Sequence, residues 1–296
     1  MDVYAKSSMS HDQIKSKLNI GCDGIEIQLL GELVDPFTNK YTSINQAFDL
    51  KQFKEYPIKV IHSPIVSGDL DFNLEQINNL NDRILFYNIC ELAEYFGKLQ
   101  NQDILIVIHS EMSLKELKII GILNLIIPVL DTVLKLFPHI KIAIENTTPA
   151  HTKNGMLKLS NNFNGENVEL VKYIKDKICT NRVGTVLDTC HAMISNNYMN
   201  STYPYNTFDI NYDLRRFFEI NKDDIFLIHL ANAIGNGDGE NHGAIFENEK
   251  ECFNILDLYK EFNYKCSITL EVQEKDYLIN NNYKHIKAQV DKYKCM

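Results

Sequence analysis

The sequence predicts a (β/α)₈ barrel, and three observations predict it. Eight short apolar runs rich in β-branched residues alternate with longer helix-like stretches over 296 residues. The runs are continuous rather than alternating, as expected when both faces of a strand are buried in a parallel sheet. Most of the runs also stop at a histidine or a carboxylate, and a barrel of this kind gathers its chemistry at the C-terminal ends of its strands. Strands are expected at Val3–Lys6, Gly24–Leu29, Ile58–His62, Ile104–His109, Lys141–Glu145, Val183–Asp188, Ile225–Leu230 and Ser267–Glu271. Helices are expected near His11–Leu18, Leu74–Leu99, Leu114–Phe137, Val168–Lys177, Phe208–Glu219, Lys250–Phe262 and Tyr277–Tyr293. A doubly wound open sheet is the alternative, but neither GxGxxG nor GxxxxGK[ST] follows any run, so its nucleotide-binding versions lack support. Without repeat, linker or boundary, residues 1–296 read as one barrel domain.

The long polar segments Leu30–Thr42, Ser63–Phe72, Thr147–Asn164 and Met193–Asn211 read as loops, and long loops in compact domains usually carry function or are disordered. The last contains Tyr198, Tyr203 and Tyr205, which could stack on a sugar or base, although half-buried tyrosines are the commoner case.

Composition is that of an ordinary globular protein, 45% hydrophobic and 23% charged. The seven cysteines are odd in number and include no CxxC pair, which argues against a disulfide framework and a thiolate zinc knuckle and fits a reducing, intracellular compartment. The N-terminus shows no signal pattern. The most apolar stretch, Ile119–Leu130, is broken by Gly121, Asn124 and Pro128 and reads as a buried helix too short to span a bilayer, so no membrane partner is expected. Net charge is −9 and only Arg83, Arg182, Arg215 and Arg216 are arginines, poor equipment for gripping phosphate chains. Bound divalent cations would soften that argument by adding local positive charge.

The metal-competent residues are the most informative feature. KVIHSP ends near His62, ILIVIHS at His109, IAIENT at Glu145, VGTVLDTCHA at Asp188 and His191, IFLIHLANAIGNGDGENH at His229 and His242, and SITLEV at Glu271. A lone histidine at a strand end is more often a core or surface residue than a ligand. Carboxylates weigh more, because ending a buried strand on one is costly without a partner. Zinc and manganese take imidazole nitrogen and carboxylate oxygen at about 2.0–2.2 Å, and a bridging carboxylate can hold two ions about 3.5–4 Å apart. With Asp238 or Glu240 from the glycine-rich loop, these residues make nine candidate ligands, too many for one ion and suited to two or three. His11, His139, His151 and His285 lie away from strand tips and receive no role.

VGTVLDTCHA, IAIENT, the strand-end HL at residues 229–230 and the terminal strand ending in Glu271 resemble the xylose-isomerase-like barrel superfamily. That superfamily includes sugar isomerases and epimerases and the apurinic/apyrimidinic endonuclease family 2, or endonuclease IV, which LDTCH resembles most. The resemblance to endonuclease IV implies ligation of two or three Zn²⁺ by His62, His109, Glu145, Asp188, His191, His229, Glu240 (or Asp238), His242 and Glu271, with Glu145 bridging two ions and a hydroxide. The chain departs from that family: its H-L-N-D is His229-Leu230-Ala231-Asn232 here, its Asp-Arg-His is Glu240-Asn241-His242, and SPIVSGDLDFN replaces a tyrosine-containing run.

The first functional expectation is therefore a metal-dependent phosphodiesterase cleaving DNA at abasic sites by a metal-bound hydroxide. The alternative implied by the same superfamily is a sugar or sugar-phosphate isomerase or epimerase with one Mn²⁺, Mg²⁺ or Co²⁺. It would be held by Glu145, Asp188, His229 and Glu271, with Glu145 and Glu271 exchanging a proton next to a carbonyl. A barrel that binds without turnover is the third reading.

Overall fold

The computed structural model describes residues 1–33, 44–64, 66–67, 70–148, 150–153, 156–159, 164–202, 214–233 and 242–296. Eight strands form the barrel: β1 Val3–Ser7, β2 Gly24–Gln28, β3 Ile58–His62, β4 Ile104–His109, β5 Ile140–Glu145, β6 Val183–Asp188, β7 Ile225–Leu230 and β8 Ser267–Leu270. They close in the order β1-β8-β7-β6-β5-β4-β3-β2, every pair parallel. The expected strands are all present, with ends within a residue or two of those read from the sequence. Val60, Val107, Ala143, Val186 and Leu227 fill the barrel interior, which makes it a packed core rather than a channel.

Among the described residues, besides a single turn at Ile44–Ala47, eight helices surround the barrel: α1 His11–Asn19, α2 Leu80–Gln100, α3 Leu117–Leu136, α4 Asn164–Ile178, α5 Thr189–Thr202, α6 Leu214–Ile220, α7 Glu249–Glu261 and α8 Asn281–Lys294. The helix expected over Leu74–Leu99 is two elements. A 3₁₀ turn over Leu74–Asn78 stops at extended Asn79, whose side chain accepts from the Asn81 N–H and starts α2 afresh. Part of the helix expected over Phe208–Glu219 lies outside the described residues.

The loop expected over Met193–Asn211 is a second correction, because α5 begins at Thr189. Asp188 Oδ1 accepts the backbone N–H of His191 at 2.7 Å, so the aspartate that ends β6 also caps the helix after it. Within the other expected loops the chain forms small hairpins, Val66–Ser67 with Leu70–Asp71 and Ala150–Lys153 with Met156–Leu159. Tyr203 and Tyr205 lie outside the described residues, and Tyr198 falls within α5.

The third correction concerns the apolar segment. The helix expected near Leu114–Phe137 is α3, but Ile119–Leu130 understated its apolar length, and by length and composition alone it could cross a membrane. Leu123, Ile126, Leu130, Val133 and Leu134 are buried in the barrel's outer core, while Ile120, Leu125 and Leu136 face outward. α1 and α8 are joined by Lys17, a buried lysine whose ammonium lies 3.2 Å from the centroid of the Tyr283 ring and donates to Asn280 Oδ1.

Candidate metal centre

Register delivers the site. His109 on β4 stands opposite Glu145 on β5, and Asp188 on β6 stands opposite His229 on β7. Neighbours in register on parallel strands point to the same side, so these pairs enter the barrel mouth together. Seven of the expected residues converge there: His62, His109, Glu145, Asp188, His191, His229 and Glu271. Glu145 is at the middle. Its Oε2 lies 3.1 Å from His62 Nε2 and 3.3 Å from His109 Nε2, and its Oε1 lies 3.3 Å from His191 Nδ1 and 3.4 Å from His229 Nδ1. His229 Nδ1 also lies 2.7 Å from Glu271 Oε2 and 3.9 Å from Asp188 Oδ2.

A second layer fixes these groups. Asn146, the asparagine of IAIENT, accepts the Asp188 N–H at 2.8 Å and donates to the Asp188 carbonyl at 3.1 Å, tying the tips of β5 and β6 together. His191 Nδ1 donates to the Asn146 carbonyl at 2.8 Å. His62 Nδ1 donates to the Ser63 carbonyl at 2.7 Å. Burial, then the charge of Lys6, hold His62 below the ordinary histidine range, so the ring is neutral at pH 7 and has one proton. With that proton on Nδ1, as the carbonyl partner assigns it, Nε2 presents a lone pair to a carboxylate oxygen. A cation between them would satisfy both.

Orphaned atoms make the same point. Glu26 Oε1, Glu145 Oε1, Asp188 Oδ2, His229 Nδ1 and Glu271 Oε2 are all buried and make no hydrogen bond of good geometry, only ion-pair contacts within the centre. Three of these carboxylate oxygens crowd the one His229 Nδ1, whose proton can serve only one of them well, so a cation at this point would satisfy more of the group. Glu145, Asp188, His229 and Glu271 bring donor atoms within 4.8 Å of one another, three oxygens and one nitrogen suited to Mn²⁺, Mg²⁺ or Zn²⁺. His62 and His109 form a second group with the shared Glu145, and Glu26, His62 and His229 form a third.

His191 reaches the centre with its Nδ1 donating to the Asn146 carbonyl, and among the described residues it belongs to none of these groups. Asp238 and Glu240 lie outside the described residues. For His242 only the backbone is described, in a short hairpin in which it pairs with Ala233 just beyond His229.

Two residues at the centre were passed over in the sequence. Glu26 lies inside β2 and is wholly buried, and Lys6 lies inside β1, opposite Glu26 in register. Their signal was a charge set among apolar residues in VYAKS and GIEIQ, where Val3, Ala5, Ile25 and Ile27 pack on the outer face and leave the charged positions turned inward. A reading confined to strand tips misses charges one layer deeper.

Electrostatics hold the carboxylates ionised. Burial opposes the charge of Glu145, but His229 and His109 outweigh it and hold the carboxyl well below the usual range. Burial likewise opposes charge on Glu271, and Lys6 and His229 hold it well below. His229 is driven the other way: against burial, Glu26, Glu145 and Glu271 keep its imidazolium well above the ordinary histidine range. Asp188 and Glu145 overcome burial to raise His191 to about 9.

A cavity of about 440 Å³ opens beside the centre, bounded by Lys6, Gln28, Glu271 and Tyr277. A cavity of about 430 Å³ at the opposite end of the barrel is lined by charges that satisfy one another, with Lys141 3.0 Å from Asp103 and Lys59 donating to Gln102 at 2.6 Å. All seven cysteines are free.

No protein-family model matches the sequence, and comparison with curated protein sequences finds no match. Solved structures do match over almost the whole chain. A D-tagatose 3-epimerase-like protein aligns with TM-score 0.63 and 18% identity over 99% of this chain and 98% of its own. The 3-keto-D-glucoside 4-epimerase YcjR from E. coli aligns with TM-score 0.56 and 12% identity over 100% of both chains. The IolI protein with a bound zinc atom aligns with TM-score 0.56 and 14% identity over 99% of this chain and 96% of its own. A xylose isomerase domain protein from Planctomyces limnophilus reaches TM-score 0.60 at 10% identity, over 99% of this chain and 97% of its own. The chain thus has the fold of the xylose isomerase-like TIM barrels, with its metal-competent residues at the mouth where that architecture places its chemistry.

Proposed function

We propose that residues 1–296 form one barrel domain that acts as a divalent-metal-dependent isomerase or epimerase of a small sugar or sugar phosphate. The observation that carries this reading is the group Glu145, Asp188, His229 and Glu271, a one-ion donor set opening beside a cavity of about 440 Å³. The epimerases that share the fold support it. They favour this alternative over the abasic-site nuclease that the LDTCH motif suggested.

A divalent ion bound by those four residues would supply Lewis acidity, drawing electron density from substrate oxygens and making the adjoining C–H more acidic. The rest falls to side chains. Glu271 edges the cavity and is ionised, so it can accept the proton from carbon. Glu145 is ionised too and lies on the other side of His229 from Glu26. Proton removal by one carboxylate and return by the other would invert a carbon next to a carbonyl, and return to the neighbouring carbon would interchange aldose and ketose. His191, protonated at neutral pH, can donate a hydrogen bond to a substrate oxygen.

The test is incubation of metal-loaded protein with free and phosphorylated aldoses and ketoses in D₂O, followed by NMR. Deuterium should enter the carbon next to the carbonyl of at least one sugar, and Glu271→Gln should abolish it. Absence of exchange with every sugar would count against the reading.

A second reading has one specific observation in its favour. His62, His109 and Glu145 make a further donor group that shares Glu145 with the first, and two ions joined by a carboxylate suit phosphodiester hydrolysis. An abasic nucleotide would have to leave the duplex to reach this enclosed mouth. Two or more zinc ions per chain, with incision of a duplex containing one abasic site at low salt, would favour it.

A further inference from the structure

Lys6 is the one lysine or arginine among the described residues that pairs with the carboxylates of the centre, and the reaction above gives it no part. Its ammonium lies 2.5 Å from Glu271 Oε1 and 3.7 Å from Glu26 Oε1. Glu26 Oε2 in turn lies 3.1 Å from His229 Nε2, and His229 Nδ1 lies 2.7 Å from Glu271 Oε2. The four residues close a ring drawn from β1, β2, β7 and the residue that follows β8. Three consequences follow. Glu271 has one oxygen committed to Lys6, which leaves only Oε2 for an ion. The group Glu26, His62 and His229, whose donor atoms are otherwise close enough for a cation, already has an ammonium beside it. The four carboxylates Glu26, Glu145, Asp188 and Glu271 are also partly neutralised before any ion arrives.

We propose that Lys6 is a resident cation of this centre and acts as a positioning residue. It holds Glu26 and Glu271 assembled in the absence of metal, keeps the Glu26 side from taking an ion of its own, and through its charge holds the affinity for a divalent ion down so that the ion exchanges. The physical basis is simple repulsion. A fixed positive charge within a few ångströms of a bound ion, in a medium of intermediate dielectric, weakens binding by roughly ten- to a hundredfold. A purely structural lysine predicts the reverse, since removing it would loosen the site and weaken binding.

The experiment compares wild type with Lys6→Met and Lys6→Arg. Each is stripped with chelator, and Mn²⁺ and Zn²⁺ dissociation constants are measured by competition with a chromophoric chelator, with thermal melting before and after loading. Lys6→Met should melt lower than wild type when stripped, bind Mn²⁺ at least tenfold more tightly, and gain more from loading. Lys6→Arg, which keeps the charge, should bind within a few-fold of wild type. Lys6→Met that folds and binds with unchanged or weaker affinity would overturn the proposal, as would Lys6→Arg that behaves like Lys6→Met. If Lys6→Met folds only with metal supplied, assembly by the lysine is supported, and its affinity is then read from the loaded protein. If neither Lys6→Met nor Lys6→Gln folds even with metal, the proposal fails, because a bound ion should replace the missing charge. The proposal rests on the metal reading of the site. Wild type that takes up no divalent ion would sink that reading, whereas wild-type binding with an unaltered Lys6→Met affinity sinks only the role of Lys6.

Discussion

Glu26 Oε2 lies 3.1 Å from His229 Nε2, on the edge of the ring opposite the one facing Glu145, Asp188 and Glu271. The pair sets the orientation of His229: with Nε2–H held by a buried carboxylate, Nδ1 is the nitrogen turned to the centre. Such partners make an imidazole a better ligand, and losing one typically costs about 10–100-fold in metal affinity. Glu26→Gln should weaken divalent-ion binding by that factor while leaving the circular dichroism spectrum unchanged. An unaltered titration would remove Glu26 from the site.

Glu145 is the carboxylate common to two donor groups. Glu145→Gln keeps the shape and removes the charge, so it should abolish turnover and lower bound metal with the barrel intact. Retained activity in purified, metal-loaded protein would show that Glu145 is neither ligand nor base.

His109 separates the two functional readings, because it stands in the group with His62 and Glu145 but outside the group of four. His109→Ala should leave ion binding at Glu145, Asp188, His229 and Glu271 in place, within about tenfold, if one ion suffices. Loss of an entire equivalent of zinc on that substitution, measured by elemental analysis, would favour the two-ion phosphodiesterase instead.

The pH dependence has a definite sign. His229 is held protonated well above the ordinary range, and its Nδ1 proton must leave before that nitrogen can hold an ion. Ion uptake near pH 7 should release about one proton, read by calorimetry in buffers of different ionisation enthalpy, and affinity should rise with pH until that proton is gone. In metal-stripped protein, His191 has a folded value near 9 against an ordinary value of about 6.5. Its raised value adds stability that is fully present below about 6.5 and is lost as pH climbs through 9. Stripped protein should therefore lose melting temperature across that window, and His191→Gln should flatten the loss.

Gly97 tests the barrel independently of the site. A Cβ there would stand 2.5 Å from His139 Cβ and 3.0 Å from the His139 carbonyl, where α2 crosses the segment entering β5. Backbone cannot yield cheaply, so Gly97→Ala should destabilise the fold by about 1–3 kcal/mol with metal affinity unchanged in the folded protein. A melting temperature equal to wild type would contradict that packing.

The sequence was most legible where a buried strand ended on a polar residue. Six of the eight barrel strands were placed that way, and His62, His109, Glu145, Asp188, His229 and Glu271 were all found at the mouth. It was less legible where one residue serves two purposes. Asp188 was read as a ligand but not as the cap that starts α5, so a helix was taken for a loop. It was least legible inside the barrel, because Glu26 sits in the middle of its strand, Lys6 ends its expected strand on a residue that is no metal ligand, and the meaning of both depends on register across β1 and β2. His191 was read as a ligand from its D-x-x-H spacing to Asp188, and it does reach Glu145 Oε1 at 3.3 Å, but its Nδ1 donates to the Asn146 carbonyl, a backbone partner that the spacing does not show.

The central claim, that Glu145, Asp188, His229 and Glu271 together hold a divalent ion, is tested most directly by elemental analysis of chelator-stripped protein after reconstitution with Mn²⁺ or Zn²⁺, alongside Asp188→Asn. The account predicts at least one ion per wild-type chain and its loss from folded Asp188→Asn. Wild type that retains no stoichiometric ion, or Asp188→Asn that retains as much as wild type, would contradict it.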